Sequence, residues 1–230
     1  MRMASIAPWV LLVAGAASAA DSAGVIASVY SSRESKLAAN RDSAFWKSIN
    51  PVTIDTDYMG EPMPRYRTEV RSRWTKKNLY LLFVCPYEQF WLKPNPDSGN
   101  ETNELWKWDV AEAFLGSDFD HINRYREFEV SPHGEWVDLD IDRGNPRQGG
   151  WKWNSGFQVK ARIDEKQHLW YAEMVIPWSA FSGDLPKEGG ELRANFFLSV
   201  GESKKNLAWR TPHKKTFHAP EAFGILRLEK

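Results

Sequence analysis

The sequence predicts an all-β protein: an antiparallel β-sandwich of the jelly-roll or immunoglobulin-like class, with few and short helical turns. Short apolar or alternating segments recur along the chain, and turns rich in Gly, Pro, Asn and Ser separate them. No long helical pattern alternates with these segments. The length of 230 residues is near the upper end for one all-β domain and short for two. We therefore expect a single sandwich.

The predicted strands follow one another from the first third of the chain to its end. Alternation of apolar and polar side chains indicates a strand with one buried face, and a continuous apolar run indicates a buried strand. The predicted strands are residues 68–74, 79–85, 109–115, 124–130, 135–141, 157–163, 169–176, 192–200 and 223–229. We expect a hairpin turn at 131–134 and one short helical turn at 178–181, after Pro177.

The N-terminus has the pattern of a targeting segment. Arg2 is followed by a short apolar stretch and by small residues suited to cleavage, so residues 1–20 are predicted to be a signal peptide. The stretch is too short to cross a bilayer, and we expect a periplasmic or secreted protein without membrane insertion. Residues 21–42 are weakly patterned and are predicted to be an N-terminal leader or an edge strand. Residues 43–230 are predicted to be the folded domain.

Composition narrows the classes of partner. The 30 Lys and Arg residues balance the 30 Asp and Glu residues, so no basic surface for nucleic acid is expected. The 12 Trp residues are more than a core of this size needs, which favours some of them on a flat, ligand-stacking surface. Cys85 is the sole cysteine, so an internal disulfide is excluded. Since it lies in a predicted buried strand, we expect a small buried hydrophobe rather than a nucleophile.

Five segments resemble, in the same order, motifs of carbohydrate-binding module family 9. Residues 106–114 resemble its W-x-x-D-x-x-E-x-F block. The others resemble its LY-x-x-F strand, its central hairpin, its E-x-x-IPW strand and its closing P-E-x-FG-x-L; they are residues 78–83, 125–134, 171–178 and 218–226. The resemblance covers the chain from about Phe45 to the C-terminus, and it identifies residues 43–230 as a family 9-like carbohydrate-binding domain.

The resemblance implies a sandwich that catalyses nothing and holds the end of a plant-type polysaccharide or oligosaccharide between two aromatic faces. It places one stacking ring at Trp106 and a carboxylate that accepts sugar hydroxyls at Glu112. The second ring falls at Phe217, or is replaced by Trp209. A pyranose ring has an apolar C–H face that packs on indole, and its hydroxyls need polar partners. Glycoside hydrolases of carbohydrate catabolism are the implied protein partners.

Other positions of the resemblance complete the predicted site. Trp108 and His218 are expected to contribute to carbohydrate binding beside the stacking rings. At Glu129 of the central hairpin some members of the family have a basic residue, so this chain reverses the charge there.

Three aspartates suggest a metal. Asp138, Asp140 and Asp142 alternate and therefore share one face of a strand. Their mutual repulsion suits calcium, which family 9 modules can carry. The alternative interpretation is a solvated face beside Arg143 and Arg147.

Two other functions compete with carbohydrate binding. In related sandwiches haem is held by Met and His, and Met59, Met63, His213 and His218 lie in predicted loops. Without a Cys-x-x-Cys-His motif such a haem would be non-covalent.

A glycoside hydrolase is the second competitor. It would need paired carboxylates, for which Asp109 and Glu112 are the candidates. Three residues apart on a strand, they point to opposite faces and do not flank one bond. We expect Asp109 instead to accept hydrogen bonds from backbone donors of the preceding loop.

Overall fold

The computed structural model describes residues 24–145 and 152–230. The predicted signal peptide and Arg147 lie outside these ranges. Within them the strands are β1 Val25–Tyr30, β2 Val52–Ile54, β3 Thr56–Asp57, β4 Thr68–Trp74, β5 Asn78–Pro86, β6 Val110–Gly116, β7 Arg124–Val130, β8 Trp136–Asp142, β9 Gln158–Asp164, β10 Leu169–Pro177, β11 Glu191–Val200, β12 Lys205–Ala208 and β13 Gly224–Glu229.

Helical structure in the described residues is short. The 3-10 helices are Pro64–Tyr66, Leu105–Lys107, Trp178–Ala180 and Pro220–Ala222. The third of these confirms the short helical turn predicted after Pro177. A search of the described ranges for a helix long and apolar enough to cross a membrane finds none.

The strands form two layers joined through β1. In hydrogen-bonding order, β8, β7, β6, β11 and β13 make the first layer, and β4, β5, β10 and β9 make the second. β1 lies between β13 and β4 and is parallel to both. Phe83 of β5 and Phe196 of β11 meet with ring centroids 5.9 Å apart, so the layers face each other across a common core. The predicted all-β sandwich is confirmed.

The N-terminal segment belongs to the sandwich, which corrects the predicted leader at residues 21–42. β1 has a hydrogen-bonded neighbour on each side, so it is neither a leader nor an edge strand. Ser28 of β1 and Ser72 of β4 are buried and share a hydrogen bond of 2.8 Å. The folded domain therefore includes residues from Val25 onward rather than from residue 43.

The chain after β1 covers the outer face of the second layer. Residues 37–49 pack on the outward side chains of β5 and β10 in a second apolar cluster. Glu173 of β10 accepts hydrogen bonds from the backbone N–H groups of Ala38 at 2.7 Å and Ala39 at 2.6 Å, and from Trp46 Nε1 at 2.7 Å. These three donors satisfy a buried carboxylate and fix the segment to the sheet.

β5 is buried on both faces, which explains its continuous apolar run. Leu81, Phe83 and Cys85 face the central core, while Tyr80 and Leu82 face the second cluster. Burial raises the pKa of the Cys85 thiol, so the thiol stays protonated. The prediction of a small buried hydrophobe is confirmed.

Candidate functional site

A groove lies on the outer face of the first layer. Alternation along β6 turns Ala113 and Leu115 toward the core and leaves Glu112 and Phe114 on the other face. The groove has a volume of about 390 Å³. Its lining residues are Tyr58, Trp106, Lys107, Glu112, Phe114, Glu127, Leu139, Ile141, Ser199, Lys204, Asn206, Thr216, Phe217 and His218.

Aromatic rings line part of the groove. Trp106, in the 3-10 helix before β6, is 38% exposed. Phe217 stacks on Phe197 of β11 with centroids 4.1 Å apart and an interplanar angle of 17°, and Tyr58 meets its edge at 6.5 Å. Because water solvates an indole face poorly, an exposed Trp in a concave surface is suited to pack against a ligand.

Lys204 fixes the loop that presents Trp106. Its Nζ donates to the carbonyl oxygens of Trp106 at 3.0 Å and Trp108 at 2.9 Å. Burial lowers the pKa of Lys204, while the carboxylates of Asp109, Glu112 and Glu129 act to raise it. The ammonium group thus ties the loop to the acidic part of the groove.

Three glutamates meet at this acidic part, and we call them the carboxylate cluster: Glu112, Glu127 and Glu129. Glu112 of β6 lies opposite Glu129 of β7 in the strand register, and Glu127 is the next residue on the same face of β7. All three are buried, and Ser199 Oγ lies 3.2 Å from Glu112 Oε1, to which it donates. One carboxyl oxygen from each lies within 4.8 Å of the other two.

The environment of the cluster disfavours negative charge. Burial, and then repulsion by Glu127, raises the pKa of Glu112. Burial, and then repulsion by Glu112 and Glu127, raises the pKa of Glu129. Burial raises the pKa of Glu127 to about 7. The cluster is therefore ready to bind either protons or a cation.

His218 lines another part of the groove as a neutral ring. Its Nδ1 is 2.7 Å from the hydroxyl of Tyr125, and its ring lies 5.3 Å from that of Phe114. Burial, with a smaller effect of Arg143, lowers the pKa of His218 to about 4. An uncharged imidazole offers a hydrogen-bond donor or acceptor to a neutral polar ligand.

Residues 39–230 match the family described as carbohydrate family 9 binding domain-like. The chain belongs to this family. An extracellular protein of Arthroderma benhamiae is 29% identical over 180 residues, which are 71% of this chain and 78% of the relative. The human UPF0462 protein C4orf33 is 30% identical over 134 residues, 58% of this chain and 64% of the relative. The matched residues thus cover less than two thirds of the human protein.

Solved structures share the fold. A family 9 module from Caldicellulosiruptor kristjanssonii in complex with cellotriose superposes with a TM-score of 0.63 at 14% identity, over 89% of this chain and 93% of that chain. A protein of Bacteroides uniformis ATCC 8492 gives a TM-score of 0.68 at 18% identity, over 89% and 99% of the two chains.

The family 9 domain brings four of the six residues predicted for carbohydrate binding into one groove. They are Trp106, Glu112, Phe217 and His218. Trp108 is not among the lining residues and stacks instead on Trp91, with centroids 5.3 Å apart. Its role is to support the loop that carries Trp106.

Trp209 is corrected from a ligand-facing to a core residue. It directly follows β12, and its side chain lies in the central core together with that of Leu207. It packs on Phe196 with centroids 5.4 Å apart and is 7% exposed. Of the two rings predicted to face Trp106, Phe217 lines the groove and Trp209 does not.

The aspartates predicted to bind calcium share one face of β8 but do not form a ligand set in this structure; they are Asp138, Asp140 and Asp142. The first accepts hydrogen bonds from the backbone N–H and the hydroxyl of Ser155. The other two form ion pairs with Arg126 and Arg124. Each of the three carboxylates thus has a partner of its own, although Asp138 Oδ1 is buried without a hydrogen bond. Within the described residues the carboxylate cluster is the one group of three with metal-ligand spacing.

Asp109 has the structural role predicted for it. It accepts hydrogen bonds from the backbone N–H groups of Trp91 at 2.9 Å and Gly201 at 2.6 Å. Both groups belong to loops beside the groove, so Asp109 fixes these loops and does not pair with Glu112 across a bond. The prediction of a backbone-satisfying carboxylate is confirmed.

The residues considered for haem lie in three different places. His213 Nδ1 is 3.0 Å from the carbonyl oxygen of Met59 on the exposed surface. Met63 packs against the central core, and His218 lines the groove. Met59, Met63 and His213 are not among the residues that line the groove with His218.

Several residues of the groove were not predicted from the sequence. Glu127 follows from the alternation of the central hairpin once Glu129 is placed on the outer face. Ser199, Lys204 and Asn206 come from β11, β12 and the turn between them. Only the antiparallel pairing of β11 with β6 brings them to Glu112.

Proposed function

We propose that this family 9 domain binds a carbohydrate in the groove. The observation that carries the proposal is a 38% exposed Trp106 in the same groove as the buried carboxyl of Glu112. The indole and the Phe217 ring pack on the C–H faces of a sugar, and the carboxyl group forms hydrogen bonds with its hydroxyls. Neutral His218 and Asn206 supply further polar partners.

Family membership and fold support a saccharide of the cello-oligosaccharide type as the first probe. The Caldicellulosiruptor kristjanssonii modules of this fold are in complex with cellotriose and with glucose. The groove volume of about 390 Å³ suits one or two sugar units rather than a long internal stretch, in keeping with recognition of a chain end.

Isothermal titration of the protein with glucose, cellotriose and xylo-oligosaccharides tests the proposal. We expect saturable binding to one class of sugar. Trp106→Ala should abolish the measurable heat, while the free energy of unfolding changes by less than about 1 kcal/mol, because the side chain is not part of the core. Phe119, 45% exposed and outside the groove lining, gives the matched control Phe119→Ala, which should bind as the wild type does. Wild-type affinity in Trp106→Ala, or no binding of any sugar by the wild type, contradicts the proposal.

We also propose that the chain is exported by a signal peptide at residues 1–20 and acts in the periplasm or outside the cell. Arg2, the apolar stretch after it and the small residues at 17–20 support this, as does the extracellular relative in Arthroderma benhamiae. Expression of the full chain in a bacterial host, followed by mass determination of the extracellular or periplasmic product, tests it. A product that keeps Met1 and stays in the cytoplasm contradicts it.

We also propose that the protein acts beside glycoside hydrolases by holding their polysaccharide substrate. The protein should increase the rate at which a glycoside hydrolase degrades an insoluble polysaccharide, and Trp106→Ala should remove the increase. Equal rates with and without the wild-type protein contradict this role.

A further inference from the structure

The carboxylate cluster has more negative charge than its surroundings balance. It holds three carboxyl groups, and among the described residues the cation that acts on Glu112 and Glu129 is Lys204. The ammonium group of Lys204 already donates to two backbone carbonyls. With all three glutamates ionised, one ammonium group leaves an excess of two negative charges in a buried place.

Glu129 lacks the partners that a buried carboxyl normally has. It is 0% exposed, and no N–H or O–H group of the described residues donates to either of its oxygens. One oxygen of Glu127 is buried and unpartnered in the same way. By contrast, the fully buried Glu173 carboxyl accepts three hydrogen bonds. A buried polar atom needs a partner, which can be a proton, a water molecule or an ion, and Glu129 needs one for both of its oxygens.

The spacing of the cluster fits a cation. One oxygen from each of Glu112, Glu127 and Glu129 lies within 4.8 Å of the other two. Oxygens bound to one calcium ion at about 2.3–2.6 Å are at most about 5 Å apart. Because Glu129 is fully buried, a single ion fits this place better than a bulky organic ammonium group.

We propose that the carboxylate cluster binds a divalent cation of the oxygen-preferring class, with Ca²⁺ as the representative ion. The cation neutralises the two excess charges and takes one or more oxygens from each glutamate. Ser199 Oγ and Asn206 Oδ1, which are 3.2 Å apart beside Glu112, stand close enough to extend the ligand set. Glu112 and Glu127 also line the groove, so the remaining ligand positions open toward it. Three carboxylates without His or Cys disfavour zinc.

The alternative occupant of the cluster is the proton. Two protonated glutamates would also remove the excess charge, and the raised pKa values of the three groups show how readily they take up protons. A cation and protons compete for the same oxygens, so cation affinity should rise with pH.

The test uses the metal alone, without sugar, so its outcome is independent of the proposed carbohydrate binding. Protein freed of metal with a chelator is titrated with CaCl₂ at pH 7.5 by calorimetry, and its Tm is measured with and without Ca²⁺. We expect one ion per chain and a Tm raised by about 5–10 °C at a Ca²⁺ concentration about 100-fold above Kd.

Variants assign the site. Glu129→Gln and Glu127→Gln each should lower the Ca²⁺ affinity at least ten-fold. In chelator, the Tm of each variant should equal or exceed that of the wild type, because a repelling charge is removed; this shows that the variant is folded. Glu221→Gln, an exposed glutamate paired with Lys214, is the matched control and should keep wild-type affinity.

Two results overturn the proposal. One is a wild-type protein that shows neither heat of binding nor a Tm shift with Ca²⁺, Mg²⁺ or Mn²⁺. The charge of the cluster would then be removed by protonation of its glutamates. The other is Ca²⁺ binding that survives in both Glu129→Gln and Glu127→Gln, which places the ion elsewhere.

Discussion

Glu112 of β6 and Glu129 of β7 lie directly opposite each other in an antiparallel pair, and both are buried. Like charges in this position destabilise a sheet. The arrangement persists only if protons, Lys204 or a bound cation offset the repulsion. The pair therefore makes the stability of the domain depend on pH and on ions.

In the absence of divalent cations, the free energy of unfolding should fall as pH rises. The pKa of Glu127 is about 7, and those of Glu112 and Glu129 are also raised above 4.5. The folded state thus binds more protons than the unfolded state above about pH 4.5, and each group's contribution is lost as pH rises through its folded pKa.

The measurement is urea denaturation in chelator between pH 5 and 8.5, for the wild type and for Glu129→Gln. His218 and the titrating groups outside the cluster contribute equally to both proteins. The difference between their unfolding free energies therefore reports the ionisation of the cluster. We expect Glu129→Gln to gain stability relative to the wild type as pH rises. Parallel pH profiles for the two proteins would show that folding does not raise the pKa of Glu129, and so would contradict repulsion within the cluster.

The sequence is enough to predict the sandwich and part of the groove. Trp106 and Glu112 were placed from a motif next to a strand, and local alternation decides which face each strand residue takes. Trp209 was misplaced because β12 is only four residues long and was not predicted, so the alternation that turns Trp209 inward with Leu207 was not used. The position of β1 inside the sheet was missed because its Ala and Ser residues give a weak apolar signal.

The carboxylate cluster shows a different limit of sequence reasoning. Glu127 and Glu129 are visible as alternating residues of one strand, yet their closeness to Glu112 and Lys204 depends on the register of β6 with β7 and β11. Register is a tertiary property, set by the core residues on the opposite face of each strand. The charge reversal at Glu129 can therefore be recognised in the sequence. That Glu129 lies close to Glu112 and Lys204 is known only from the fold.

Phe217→Ala should weaken sugar binding about ten-fold and have a modest effect on stability. The substitution removes one aromatic face of the groove and the stack on Phe197, and an aromatic pair contributes about 0.5–1.5 kcal/mol beyond its buried area. Calorimetric titration with the sugar that the wild type binds gives the affinity, with Phe119→Ala as the control. An affinity equal to the wild type would remove Phe217 from the ligand site.

Glu173→Gln should destabilise the domain by about 3 kcal/mol without changing the groove. An amide cannot accept from Ala38, Ala39 and Trp46 at once, because its NH₂ group meets an N–H donor where the carboxylate offered an oxygen. Urea denaturation measures the loss, and Glu165→Gln, an exposed glutamate, is the control. A loss below about 1 kcal/mol would mean that residues 38–46 are held mainly by apolar packing.

Lys204→Met should lower both stability and sugar affinity, and the loss should depend on Glu129. The variant leaves the carbonyl oxygens of Trp106 and Trp108 without their charged donor, at a cost of about 1.5–3 kcal/mol, and it frees the loop that presents the indole. It also removes the cation beside the cluster, so the remaining carboxylates repel one another without compensation. Glu129→Gln relieves that repulsion, so Lys204→Met should cost less in the Glu129→Gln background, by about 0.5–3 kcal/mol. A double-mutant cycle in chelator at pH 7.5 measures this coupling, with Lys214→Met as the exposed control. If Lys204→Met costs the same in both backgrounds, Lys204 acts only as a support for the loop, and the charge of the cluster is balanced by protons.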